Sequence, residues 1–234
     1  NTISSRDGIA VGRSNQINSI YNLTFGQFNT VTSDTSMAIG HRNIASGFSS
    51  VAVGSNNRSS GLNAPSSAFG YSNEATANNS SAFGLLNEAT GAGQSNAFGY
   101  SNEASGFNSS AFGHNNNANG NDSSAYGVSN DATATSSSAF GYNNRAQETE
   151  SSAFGLSNQA TAINSSAFGH ENQATALNSS AFGYQNEVTG GNSNAFGYQN
   201  NVNGSSSNAY GYGLISDVYG LTTIGMYNQD LIGD

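Results

Sequence analysis

Large apolar residues are sparse in this chain and regularly placed. An aliphatic or aromatic residue directly precedes a glycine at Val11, Phe25, Ile39, Val53 and Phe69, then as Phe or Tyr at every copy to Tyr210, and last as Ile224. The residue two before the same glycine is Ala in 14 of 16 copies, with Thr24 and Thr223 the exceptions. These glycines run from Gly12 to Gly225, and 13 of the 15 intervals between them are 14 residues long. The other two are 16 (Gly54 to Gly70, around Pro65) and 15 (Gly84 to Gly99). Insertions that leave the downstream frame intact behave as bulges of a stacked array. Apolar positions do not follow the helical period, and β-formers alternate with small residues around each glycine. Each repeat therefore reads as a short strand ending at the Gly, a turn, a second short strand, and a looser Asn/Ser/Gly turn leading onward.

Two further columns sharpen this picture. Three residues after the Gly stands Asn in 15 of 16 copies, including Asn73, Asn87, Asn102, Asn116, Asn130, Asn144, Asn158 and Asn172. Five after it the residue is mostly small or β-branched, as at Ile17, Val31, Ala75 and Val202. The Gly and Asn columns suit tight or left-handed backbone positions. The fold class predicted is all-β, a parallel β-solenoid with one repeat per turn over the whole of residues 1–234. Sixteen turns at strand spacing would stand roughly 75 Å tall. Equivalent Asn side chains would lie above one another and form a hydrogen-bonded ladder.

Alternation along the strand puts Ala68 and Gly70 on one face, with Ser67, Phe69 and Tyr71 on the other. A 14-residue turn encloses little space, so the Ala/Gly face is expected inside the coil. The column Phe69, Phe83, Phe98, Phe112, Tyr126, Phe140, Phe154, Phe168, Phe182 and Phe196 then forms an outer stripe. So large an apolar strip calls for a partner, and cyclic self-association supplies one. The opposite assignment, Phe inside and Ala outside, stays open at this point. In the first four turns the position three before the Gly is also apolar (Ile9, Leu23, Met37, Val51), and it becomes Ser or Asn where the next residue but one becomes aromatic. Two medium side chains exchange there for one small and one large, as in a shared packed layer.

Ser50-Val51-Ala52-Val53-Gly54 and Met37-Ala38-Ile39-Gly40 resemble the Ser-Val-Ala-Ile-Gly repeat of YadA-like heads, which belong to trimeric autotransporter adhesins of Gram-negative bacterial surfaces. The 14-residue period, the Asn after the Gly and the following Ala column are similar too, over Ile9 to about Asn228. The resemblance implies a left-handed β-roll, three chains around one axis, and a non-enzymatic adhesive role at the cell surface, outside the cell, in the passenger of an outer-membrane-anchored protein. It implies attachment to host matrix, other cells or abiotic surfaces, with no membrane contact by this segment. Most turns replace the aliphatic pair with Ser-Ala-Phe-Gly. Residues 212–234, where Gly213, Gly220 and Leu221 loosen the frame, read as irregular terminal turns leading toward a neck and stalk.

Composition narrows the chemistry. Leu, Ile, Val and Phe make up 40 of 234 residues, a level often associated with disorder, but only 8% of residues are charged and the period is strict. There is no Cys, hence no disulfide, zinc ribbon or thiol nucleophile. No membrane-length apolar run and no signal-peptide core occur, and the missing initiator Met suggests a processed or excised fragment. His41, His114 and His170 each follow a repeat Gly several turns apart, so one chain does not gather them on a metal. No nucleophile elbow, calcium nonapeptide or dinucleotide loop is present. No catalytic residue, metal or cofactor is expected.

Residues 1–58 hold four arginines against two aspartates, and the remainder holds Arg145 against twelve acids. An acidic surface argues against nucleic acid or anionic lipid as a partner. Glu74, Glu88 and Glu103 share the column four after the Gly on successive turns. Stacked carboxylates repel, which places the column toward solvent, as a solubilising face or a landing strip for a macromolecule. An alternative function is an ice- or glycan-binding solenoid. Thr76, Thr90, Thr133, Thr161, Thr175 and Thr189 form a column for ice, interrupted by Ser105, Asn119, Gln147 and Asn203.

Overall fold

The computed structural model describes residues 1–4 and 6–227, and the chain divides into two compact units, Asn1–Asp122 and Ser123–Asp234. Both units repeat one turn. Each turn carries a five-residue strand spanning the repeat Gly, such as Ser81–Leu85, and a two-residue strand, such as Glu88–Ala89. The long strands pair in parallel with their equivalents one turn on, Ser67 with Ser81, Phe69 with Phe83 and Gly70 with Gly84. The short strands do the same, Glu74 with Glu88. Among the described residues the first unit holds eight long strands, Ile9–Arg13 to Ser110–His114, and the second eight more, Ser124–Val128 to Thr222–Met226. The protein is thus all-β, a parallel solenoid of about sixteen turns, as the spacing predicts.

The interior of a turn is very small, and the sequence fills it accordingly. Ala82, Ala89, Asn87 and Ser95 are all fully buried, and their equivalents recur turn after turn. Phe83 and its equivalents lie on the outer face, half-exposed, so Ala faces in and Phe faces out. Where a larger side chain enters, as at Ile17, Val31, Val188 and Val202, it takes the column five after the Gly. Leu214 occupies the Asn column in its turn and is equally buried.

Glycine does not join Ala inside. Gly70, Gly84, Gly99 and Gly155 are exposed. The reason is conformational: Gly84 has φ +120, which breaks the strand's alternation. A Cβ there would sit 2.1 Å from the carbonyl oxygen of Gly99 on the next turn. Glycine is required because the backbone of the neighbouring coil occupies the side-chain position.

The left-handed corner also differs from the sequence expectation. The positive-φ residue is the one before the Asn, as at Ser72, Leu86 and Glu171, and the Asn itself is not left-handed. A second left-handed corner falls five residues before the Gly, at Asn79, Asn108 and Asn164. The stretch expected to be looser is therefore as regular as the rest. It is closed by a buried serine: Ser165 Oγ donates to the Ala162 carbonyl at 2.6 Å and accepts from the Ala162 N–H at 3.2 Å.

Both insertions bulge between a short strand and the next long one. Register resumes at once, with Val51 paired to Ser67 and Ser81 to Asn96. Leu62, in the first bulge, is 81% exposed. Beyond residue 212, Ile215–Ser216 and Thr222–Met226 keep the frame, with Tyr210 paired to Ile224. Residues 228–234 of that segment, Asn228 among them, lie outside the described residues.

Candidate functional site

Strand spacing forces chemically identical side chains into ladders, and the ladders are what this protein presents. One of them is aromatic. In the first unit Phe69, Phe83, Phe98 and Phe112 stack with centroids 4.7–4.8 Å apart and planes within 10°. In the second, Tyr126, Phe140, Phe154, Phe168, Phe182 and Phe196 stack at 4.7–4.9 Å, and Tyr210 follows at 5.5 Å. In the first turns of the chain, the equivalent outer face carries Ile9, Val11 and Phe25, all exposed. A second ladder, one residue past the Gly, stacks Tyr184, Tyr198 and Tyr212 at 4.7–4.8 Å.

The asparagine ladder is internal. Asn73 Nδ2 donates to the Phe69 carbonyl at 2.9 Å within its own turn and to the Gly84 carbonyl at 2.7 Å on the next. Its Oδ1 accepts from the backbone N–H and the Nδ2 of Asn87, at 3.1 and 3.0 Å. Asn87, Asn102, Asn144, Asn158 and Asn172 repeat this set within their units. One side chain thus satisfies a corner's carbonyls and joins it to both neighbours. The ladder is buried and has no route to a ligand.

The carboxylates stack as the sequence places them. Glu88 pairs in register with Glu74 and Glu103, and Glu74 is met from the preceding turn by Arg58 at 3.2 Å. Partial burial, and then the charges of Glu103 and Glu74, push the Glu88 carboxyl above its ordinary value. The folded state therefore holds this proton more tightly than the unfolded chain. Glu88 favours folding at pH below the ordinary carboxylate range, and that contribution is lost as pH rises through its elevated value. Glu88→Gln should raise the urea midpoint at pH 7 and low salt, with the gain shrinking toward pH 3.5. A neutral or lower midpoint at pH 7 would contradict the column's self-repulsion.

The histidines serve the outer columns. His41 lies edge-on to Phe28, His114 against Tyr100, and His170 edge-on to Tyr184, with its Nε2 3.4 Å from Glu171. Among the described residues no three His, Asp or Glu side chains come together in a way that would hold a metal ion. Two features escaped sequence reasoning. One is the buried Ser column four before the Gly, unbroken from Ser36 to Ser207, whose invariance was the available signal. The other is a polar groove over Gln159, Gln173 and Glu187.

These features define a class: a parallel β-solenoid with an interior of small residues and asparagine, showing its aromatic residues outward. The model of the YadA head domain repeat matches residues 32–57, 45–64, 65–86, 104–129, 132–158 and 160–186, more than half of the chain. The chain belongs to the YadA head family of trimeric autotransporter adhesins. No curated protein matches it significantly. Membership suggests an adhesin role and a surface-exposed autotransporter passenger, in a family and fold that are typically non-enzymatic.

Proposed function

We propose that this chain is the head of a homotrimeric adhesin of the bacterial cell surface. Three left-handed coils pack their aromatic columns around a common axis, and the outer faces attach the cell to host matrix, other cells or abiotic surfaces. Residues 1–234 act as one head. The observation that carries the reading is the outward aromatic ladder, whose rings stack on one another yet keep a continuous apolar edge in solvent. Monomers rarely leave so long an apolar patch uncovered, and a cyclic assembly covers it without open ends. Family membership supports the number three. The Asn ladder is structural, and Glu74, Glu88 and Glu103 are candidate contacts for a basic or hydrogen-bonding partner.

Phe140→Ser, Phe154→Ser and Phe168→Ser combined should lower the melting temperature and the trimer fraction together. Each removes about 1.5–3 kcal/mol of apolar burial. Unchanged mass and unchanged melting would place the partner face elsewhere.

A further inference from the structure

We infer that the corner spanning Ser157 to Glu187 is a binding groove for a neutral, extended glycan chain; the inference rests on the adhesin reading and names one ligand class for it. A groove of about 370 Å³ opens over three successive turns of the second unit. Gln159, Gln173 and Glu187, stacked in register on the short strands, line one side. Glu171 and Gln185, on the preceding corner, line the other.

The two sides differ in how far their polar atoms are used. Gln185 Nε2 donates to Glu171 Oε2 at 2.5 Å, and Gln199 Nε2 donates to Gln185 Oε1 at 2.8 Å, which fixes that row. Across the groove, the side-chain amides of Gln159 and Gln173 and the carboxylate of Glu187 make no hydrogen bond with the described residues, so their donors and acceptors are free. No other corner carries long amide or carboxylate side chains in both columns on consecutive turns. The corresponding depression at Leu86, Glu88, Ser101 and Glu103 sets two carboxylates beside a leucine and a serine instead.

The lining selects the ligand. A polypeptide docks on a sheet through unpaired edge groups and apolar side-chain pockets. Here the backbone groups are spent on the ladder, Gln173 N–H on Asn186 O at 2.8 Å, and the lining is polar. Sugar hydroxyls both donate and accept, matching free amides and carboxylates. Glu171 and Glu187 exclude anionic sugars. Rungs here repeat at 4.7–4.8 Å, judged by the stacked rings of the same turns, close to the length of one hexose in an extended β-linked chain. A glycan lying along the stack would place successive residues against successive rungs.

The test is calorimetric titration of the full chain with cellotetraose and chitotetraose, with maltotetraose as the coiled control. Saturable binding of an extended oligosaccharide is expected, weakened on the order of tenfold by Gln173→Ala and again by Gln159→Ala, with melting temperature unchanged. Gln173→Glu, equal in size but charged, should weaken it comparably. Absence of binding to both extended probes overturns the assignment, as does equal affinity of Gln173→Ala and wild type. Gelatin binding lost in Gln173→Ala would assign the groove to polypeptide and equally overturn it. Attachment of cells displaying the Gln159→Ala, Gln173→Ala head separates the two levels: attachment lost together with oligosaccharide binding supports the groove as the adhesive site, whereas attachment retained after that binding is lost overturns the glycan as the adhesive ligand and leaves the adhesin reading standing.

Discussion

Asn158→Ala should destabilise the protein by about 3–5 kcal/mol, far beyond what its exposed neighbours cost. Asn158 Nδ2 donates to the carbonyls of Phe154 (2.9 Å) and Gly169 (2.7 Å), and its Oδ1 accepts from the N–H and Nδ2 of Asn172 (3.1 and 3.0 Å). Alanine leaves these groups facing a fully buried position, and an unsatisfied buried polar group costs about 1–3 kcal/mol. Stability in a solenoid is a sum over turns and their interfaces, so an interior rung weakens two interfaces at once. Asn158→Asp tests the same account differently. Its carboxylate keeps an acceptor for Asn172 but aims negative charge at two carbonyls, so it should be at least as damaging at pH 7 and milder in acid, where the carboxyl can donate. Thr133→Ala, on an exposed column, should stay within about 0.5 kcal/mol. Urea denaturation of the three variants decides, and an Asn158→Ala protein as stable as Thr133→Ala would remove the ladder from the stability account.

Gly155→Ala should be comparably severe, on the order of 4 kcal/mol or more. Gly155 has φ +118, and a Cβ built on it would lie 2.1 Å from the Gly169 carbonyl oxygen and 3.0 Å from its carbon. That contact is backbone against backbone, so relief requires separating two turns that the Asn ladder and both strand pairings hold together. Gly191→Ala provides the contrast. Its Cβ would meet only the Leu177 carbonyl oxygen at 3.7 Å, with no left-handed φ, and the change should stay within about 1 kcal/mol in either direction. Thermal melts of the two alanine variants should therefore separate widely. Similar melting temperatures would mean that the turns slide more freely than the register implies.

The solenoid was legible because its columns are chemically pure. Ala before Phe before Gly, then Asn three residues on, states a period, an interior of small residues and a ladder. What stayed hidden followed from backbone geometry. The left-handed corner before the Asn accepts Leu86, Glu171 and Ser72 alike, so no residue type marks it. The repeat glycines were expected inside with Ala because alternation was carried through them, and a φ near +120 interrupts alternation at that residue. Ser151 and its column look like loop serines, yet they are buried because their hydroxyls close the second corner. The groove at Gln159, Gln173 and Glu187 draws on two columns that join only when the chain is coiled, whereas Glu74, Glu88 and Glu103 caught the eye by sharing one.

The central claim is that the aromatic ladder is a face between chains. Sedimentation equilibrium of the purified chain tests it most directly. The account predicts a folded species at three times the 23.9 kDa chain mass, unchanged across the loading concentrations. A folded, stable species at 23.9 kDa would contradict it, because the Phe edges would then face water without a partner.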